Sequence, residues 1–296
     1  MRIAAEEAWA PAELLARYRK LLEEKPASWD PGFRSLWGFF LGATPRATQL
    51  VARIQDLGAQ RIADMDESGI AKQLVFLTAP GVQVFDAATA VSLSTELNDR
   101  LSQETKKQPD RYAALAAIAP QDPRNAVKEL QRTTSLGMKG AVVNSHTQGE
   151  YLDDPKYWEI FEAAEALDVP LYLHPNTPPP AMIGPFLPRG LDGAIYGFAV
   201  ETGLHLLRIV VAGVFDRFPK LKVVVGHLGE GLPFWLFRLD FMHRAMVNAN
   251  RYPGVGPLKK KPSEYLRENV WVTTSGMQWA PAILFSQQVL GVDRVL

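Results

Sequence analysis

The chain has 296 residues, 47% hydrophobic and 22% charged, with 32 Lys and Arg balanced by 32 Asp and Glu, and it contains no cysteine. This length and apolar fraction suit one large α/β barrel or two ordinary domains, and zero net charge gives no electrostatic case for nucleic acid or a membrane surface as main partner. Without cysteine there are no disulfides, thiolate nucleophiles or thiolate metal sites, so any metal has to be held by His and carboxylates.

The N-terminus, MRIAAEEAWA, has two carboxylates where a signal peptide needs an apolar stretch. The most apolar stretch, residues 193–215, is broken by Glu201, His205 and Arg208 and does not read as a membrane span, so a cytoplasmic protein is expected. Residues 2–9 form the first predicted strand. Residues 11–46 read as an insertion rich in aromatics (Trp29, Phe33, Trp37, Phe39, Phe40), a long loop that either covers an active site or forms a packed dimer surface. Next come a helix over 48–68, a strand over 72–79, a helix over 87–108 and a strand over 112–119. Then follow a helix over 123–136, a strand over 140–146, a helix over 155–167 and a strand over 170–175. The pattern closes with a helix over 197–217, a strand over 222–229, a helix over 233–247, a strand over 270–276 and a helix over 280–290. Short apolar runs alternating with helical patterns predict a parallel sheet, and runs apolar on both faces suit strands buried between a barrel interior and an outer helix layer. Gly69 and Gly137 stand where helices stop. The closing GVDRVL reads as the opening of an eighth strand. The expectation is a single (β/α)8 TIM-like barrel domain over 1–296, cut short in strand eight and continuing beyond Leu296 in the natural protein, because a missing strand leaves two edges unpaired.

Functional groups of such barrels gather at the carboxyl ends of the strands. Glu6 and Glu7 end the first strand, Asn144 and His146 the fourth, His174 the fifth, and His227 the sixth. A carboxylate and imidazoles converging from separate strands make a ligand set for Mn²⁺ or Zn²⁺. A lone His at a strand end is more often a hydrogen-bonded core residue than a ligand. LYLHPN and VVVGHLGEG, however, each place the His directly after a fully apolar run, where a polar group has little to do in packing. Strand alternation sends Glu6 and Glu7 to opposite faces. His146 and His205 read as structural and His243 as a surface residue.

In this order, IAAEEAW, LYLHP and VVVGHLGEGLPFW resemble the decarboxylase branch of the amidohydrolase superfamily, relatives of aminocarboxymuconate-semialdehyde and resorcylate decarboxylases. PDRYAALAAIAPQDP and RIADMDESGI match as well. SLWGFF, QRIADMD, NSHTQGEYLD and LDGAIYGFAVETGLHLLR carry a narrower likeness to the 5-carboxyvanillate decarboxylases of bacterial lignin catabolism. The resemblance implies metal-dependent, non-oxidative decarboxylation of a small phenolic acid by a homodimer. One divalent metal is implied, and Mn²⁺ suits few nitrogens and several oxygens better than Zn²⁺ does. Glu6 and His174 then match metal ligands, His227 the active-site histidine, and Glu230 a group that orients it. Arg46 and Thr78 match candidate substrate contacts, and Arg238, in the helix after the sixth strand, either reaches a substrate carboxylate or makes a salt bridge on the helix surface. Two departures stand out: Ala8 replaces the second strand-one ligand of most relatives, and the last ligand, an Asp and the expected proton donor, would fall just beyond Leu296. A metal-dependent hydrolase of an ester, lactone or carbon–carbon bond, or a non-catalytic barrel that binds aromatic acids, are the alternatives.

Overall fold

A computed structural model describes residues 2–296, in which strands and helices alternate as the apolar runs predict. The strands are β1 (Ile3–Trp9), β2 (Lys72–Leu77), β3 (Tyr112–Ala114), β4 (Ala116–Ala117), β5 (Ala141–Asn144), β6 (Leu171–His174), β7 (Val223–Val225) and β8 (Val270–Val272). All pair in parallel, in chain order, in ladders β1-β2-β3 and β4 to β8. The ladders join at Leu115, whose N–H donates to Val75 O at 3.0 Å, while the Ala116 N–H donates to Gly140 O at 2.9 Å. The third predicted strand is therefore one wall interrupted at Leu115, and strand numbers run one ahead of the sequence reading from there. On the far side Val295 bridges Val272 in parallel and the Leu296 N–H donates to Val272 O at 2.8 Å, where the eighth strand is expected. The architecture is a TIM-like (β/α)8 barrel.

Alternation along the strands divides the core in two. Phe76, Leu115, Val142, Tyr172 and Val224 point into the barrel and pack with Leu74 and Trp271. Their outward neighbours, such as Val75, Leu77, Val143, Leu171 and Val225, join the larger core beneath the helices. Each fully buried side chain of this size contributes about 1.5–3 kcal/mol relative to an exposed one. β1 departs from regularity at one place: Ala4 pairs with Gln73 and Glu7 with Val75, so two residues, Ala5 and Glu6, oppose Leu74 alone. This bulge precedes Glu7, Ala8 and Trp9, which pair with Val75, Phe76 and Leu77. Glu7 and Trp9 thus share the outer face with Val75 and Leu77, and Ala8 faces inward with Phe76.

Three sequence expectations are corrected. The predicted helix over 48–68 is two helices, Pro45–Gln55 and Ala59–Glu67. Asp56 separates them, its carboxylate accepting from the N–H groups of Gly58 and Arg61 and so ending one helix and starting the next. Similarly the helix over 197–217 stops at Val211, and Gly213, with φ 76°, turns the chain before Val214–Arg217. The aromatic insertion is not a loop but the helices Ala12–Glu24 and Pro31–Phe40, the second started by Asp30, which caps Phe33 N at 2.9 Å, with Pro31 behind it. Tyr18, Phe33 and Trp37 are buried, and two of them donate to the segment that follows β2: Tyr18 OH to Gly81 O at 2.7 Å and Trp37 Nε1 to Ala79 O at 3.0 Å. The insertion is therefore packed onto the carboxyl end of the barrel, with Phe39 left half exposed. Pro262–Glu268 adds a helix that the sequence pattern did not suggest.

Candidate metal and proton-transfer site

Glu6, His174 and His227 meet at the carboxyl ends of β1, β6 and β7. Glu6 Oε1 lies 3.6 Å from His174 Nε2 and 3.2 Å from His227 Nε2. Its other oxygen, Oε2, accepts from Tyr172 OH at 2.5 Å, with Thr273 Oγ1 at 3.5 Å from Oε2 and 3.3 Å from the phenol. Burial alone would raise the Glu6 carboxyl, but the hydrogen bond from His227, the neighbouring imidazoles and the Tyr172 hydroxyl outweigh it and lower it to about 2. His174 is held neutral chiefly by its burial, against the pull of Glu6. A carboxylate oxygen and a neutral imidazole nitrogen at this separation can share one ion, since each ligand sits about 2.0–2.2 Å from it. Among the described residues no group of three or more His, Asp or Glu has the geometry of a metal cage, so Glu6 and His174 stand as a pair.

His227 is built differently. His227, Leu228, Gly229, Glu230 and Gly231 all have positive φ, between 52° and 79°, and form a left-handed turn directly after β7. Main-chain bonds hold it in place: Leu228 N to Thr273 O and Gly229 N to Gly226 O, both 2.8 Å. Side chains in this conformation cost roughly 1–2 kcal/mol each. In return Glu230 Oε1 comes within 2.7 Å of His227 Nδ1, which leaves Nε2 directed at Glu6. Burial works against the charged ring, but the bonds to Glu230 and Glu6 and their charges raise His227 to about 10, so both ring nitrogens carry protons. Such a ring donates hydrogen bonds and protons. Glu230 is itself raised by burial, partly offset by His227.

The other sequence candidates are more scattered. Glu7 faces outward, toward Arg61, and burial raises its carboxyl despite that charge. Thr78 follows β2 half buried, its N–H donating to Trp9 O at 2.9 Å. Arg46 is exposed in the first turn of Pro45–Gln55, and Arg238 is exposed on the helix Leu232–Asn248 beside exposed Phe234, Trp235 and Phe237. Neither arginine touches the Glu6 cluster. His243, read as a surface residue, is instead buried on the inner side of Leu232–Asn248.

His146 and His205 are both buried and hydrogen-bonded within the fold. Gly149 N donates to His146 Nδ1, and its Nε2 reaches Thr177 O at 3.0 Å. Leu152 N donates to His205 Nε2 at 2.9 Å, which assigns the proton to Nδ1, 3.3 Å from Ser145 Oγ. Ser145 and Tyr151 donate to the two oxygens of buried Glu201, both at 2.9 Å. Burial, with the charges of His146 and Arg208, drives His205 down to about 3. In an unfolded chain it would titrate near about 6.5, so the unfolded state takes up a proton first. The stability His205 contributes is therefore complete above that pH and is lost on acidification toward 3, by up to about 1.4 kcal/mol per pH unit. Thermal unfolding of wild type and His205→Gln between about pH 5 and 7 checks this: wild type should lose stability more steeply, and parallel curves would refute it.

Tyr172, Thr273 and two glycines complete the site without having been marked in the sequence. A Cβ on Gly226 would lie 2.6 Å from Glu6 Oε2, and one on Gly276, itself at φ 65°, 3.1 Å from His227 Cδ2. Tyr172 was legible in principle: two residues before His174, it has to share that residue's face of β6.

Comparison with known proteins bears on this arrangement. Residues 44–296 match the amidohydrolase family model. The structure is similar, at TM-score 0.97 and 49% identity over 100% of this chain and 85% of the other, to a 5-carboxyvanillate decarboxylase from Novosphingobium aromaticivorans with bound manganese and 3-methoxy-4-hydroxy-5-nitrobenzoic acid. A 5-carboxyvanillate decarboxylase from Sphingomonas paucimobilis superposes at TM-score 0.92 with 40% identity, over 100% of this chain and 87% of that one. A gamma-resorcylate decarboxylase from Polaromonas sp. is 36% identical over 84% of this chain and 78% of its own length.

Proposed function

The chain belongs to the amidohydrolase family, among its carboxy-lyases, and from that premise we propose that it decarboxylates 5-carboxyvanillate to vanillate with one bound Mn²⁺. The observation that carries this reading is the pairing of Glu6 Oε1 with His174 Nε2, 3.6 Å apart, beneath a histidine whose Nε2 faces the same oxygen. When bound, a divalent ion supplies Lewis-acid polarisation and a template for the phenolate and its neighbouring carboxylate. Glu6 and His174 would hold it from the barrel axis. Glu230 fixes His227 so that Nε2–H is presented to the phenolate oxygen or to the proton path. A proton delivered by way of His227 Nε2–H forms the C–H bond at the ring carbon that bears the carboxylate; the bond to the carboxylate then breaks, carbon dioxide leaves as the ring regains aromaticity, and no redox step is needed.

The second carboxylate of the substrate asks for a cation away from the metal. Arg46 is offered for that role, since a guanidinium grips a carboxylate through two parallel hydrogen bonds and this one has no ion pair or hydrogen bond among the described residues. Thr78, half buried at the end of β2, is the accompanying hydroxyl. Carbon dioxide release from 5-carboxyvanillate and from 2,3-dihydroxybenzoate, in wild type and Arg46→Ala, tests both statements. Wild type should favour the dicarboxylated acid, and the substitution should remove about 1.5–3 kcal/mol of that preference. No release from 5-carboxyvanillate would end the substrate assignment; an unchanged ratio would remove Arg46 from it.

A further inference from the structure

Glu6 has two oxygens, and the structure treats them differently. Oε1 faces His174 and His227, whereas Oε2 is engaged from below by Tyr172 OH at 2.5 Å, with Thr273 Oγ1 completing a triangle at 3.5 and 3.3 Å. Tyr172 is 1% exposed, lies inside the barrel against Phe76 at 5.3 Å between ring centroids, and packs with Leu115, Val142 and Val224. Its ring is thus locked by packing, and its hydroxyl has no freedom to follow the carboxylate if the carboxylate swings. Gly226 closes the remaining side, for any Cβ there would meet Oε2 at 2.6 Å.

We propose that Tyr172 is a positioning residue for Glu6: by occupying Oε2 it leaves Oε1 as the single oxygen offered to the metal, with Thr273 as auxiliary donor. The inference rests on the reading of Glu6 as a ligand and adds how it ligates. A free glutamate can rotate, bind an ion through both oxygens, or turn away from it. Restricting it to one oxygen fixes the direction of the ligand and removes the entropy cost of ordering it, and partners of this kind are worth roughly 10–100-fold in metal affinity.

The test uses the full-length protein, stripped of metal and titrated with Mn²⁺, with free Mn²⁺ followed by EPR, in wild type, Tyr172→Phe, Thr273→Val and Glu6→Gln. Phe keeps the ring and its packing, so thermal unfolding should change little. Tyr172→Phe should weaken Mn²⁺ binding by roughly 10–100-fold. It should also change the EPR line shape of the bound ion as Oε2 becomes free to coordinate, a signature that loss of packing alone would not give. Thr273→Val should produce the same effects in weaker form, and Glu6→Gln should abolish binding. Mn²⁺ affinity and line shape unchanged in Tyr172→Phe, with binding lost in Glu6→Gln, would overturn the proposal alone. Binding retained in Glu6→Gln would overturn the ligand reading and the proposal with it.

Discussion

Replacing His227 by Asn should lower kcat by roughly 10²–10⁴-fold, the usual consequence of losing a proton-transfer group, and leave metal content unchanged. Asn is suited to the test because it tolerates the left-handed conformation that His227 adopts at φ 52° and can still donate to Glu230 through its amide. It does not present an ionisable N–H to the space above Glu6, where His227 Nε2 lies 3.2 Å from Oε1. Steady-state rates, with the metal determined by elemental analysis of the same samples, separate the possibilities. A metal-free mutant would make His227 a ligand, and a mutant of near-normal rate would deprive it of any part in the chemistry.

Gly226→Ala should be as damaging by a different route. Gly226 has φ −69° and ψ 179°, a conformation open to any residue, so the backbone does not require glycine there. Space does. The added methyl would sit 2.6 Å from Glu6 Oε2 and 3.6 Å from Tyr172 OH. The nearer atom is the tip of a flexible side chain, so the chain can relieve the clash by moving the Glu6 carboxylate, at a stability cost within the roughly 1–3 kcal/mol of an overpacked site. That movement takes the carboxylate away from Tyr172 and from its place beside His174. The expected result is a folded protein whose Mn²⁺ affinity and kcat/KM both fall by about 10²-fold or more, beyond the effect of losing the Tyr172 hydroxyl alone. Elemental analysis and a melting curve check it. A variant that retains its metal would show that Glu6 is not confined as described.

Much of the barrel was legible because burial enforces apolar runs: seven predicted strands correspond to strands in the structure, with the third interrupted at Leu115, whereas of GVDRVL only Val295 and Leu296 run beside β8 and Val292–Arg294 is a 3-10 turn. His174 and His227 were legible because each polar ring follows an apolar run that supplies no packing reason for it. What escaped depends on local chemistry that periodicity does not register. The break at Asp56 is a side-chain carboxylate capturing two backbone N–H groups, and the pattern over 48–68 stays helical across it. His243 escaped because a single His on an amphipathic helix gives little sign of which face it occupies. Tyr172 was hidden inside its own strand as another bulky residue, although its spacing from His174 declared the shared face. Helical content in the aromatic insertion was masked by its composition, while Asp30-Pro31 and Thr44-Pro45 were available as start signals.

The left-handed turn at 227–231 ties backbone strain to the ring it presents. Of its five residues, three carry side chains in a conformation that glycine adopts freely, and Glu230 at φ 55° is one of them. Glycine at 230 would relieve the backbone, but it would also leave the protonated His227 ring without the carboxylate 2.7 Å from its Nδ1. The same change deprives His227 of the partner that aims it. Position 230 therefore carries backbone strain that is offset only while an aimed imidazole stands beside it, so the turn and the ring it presents stand or fall together.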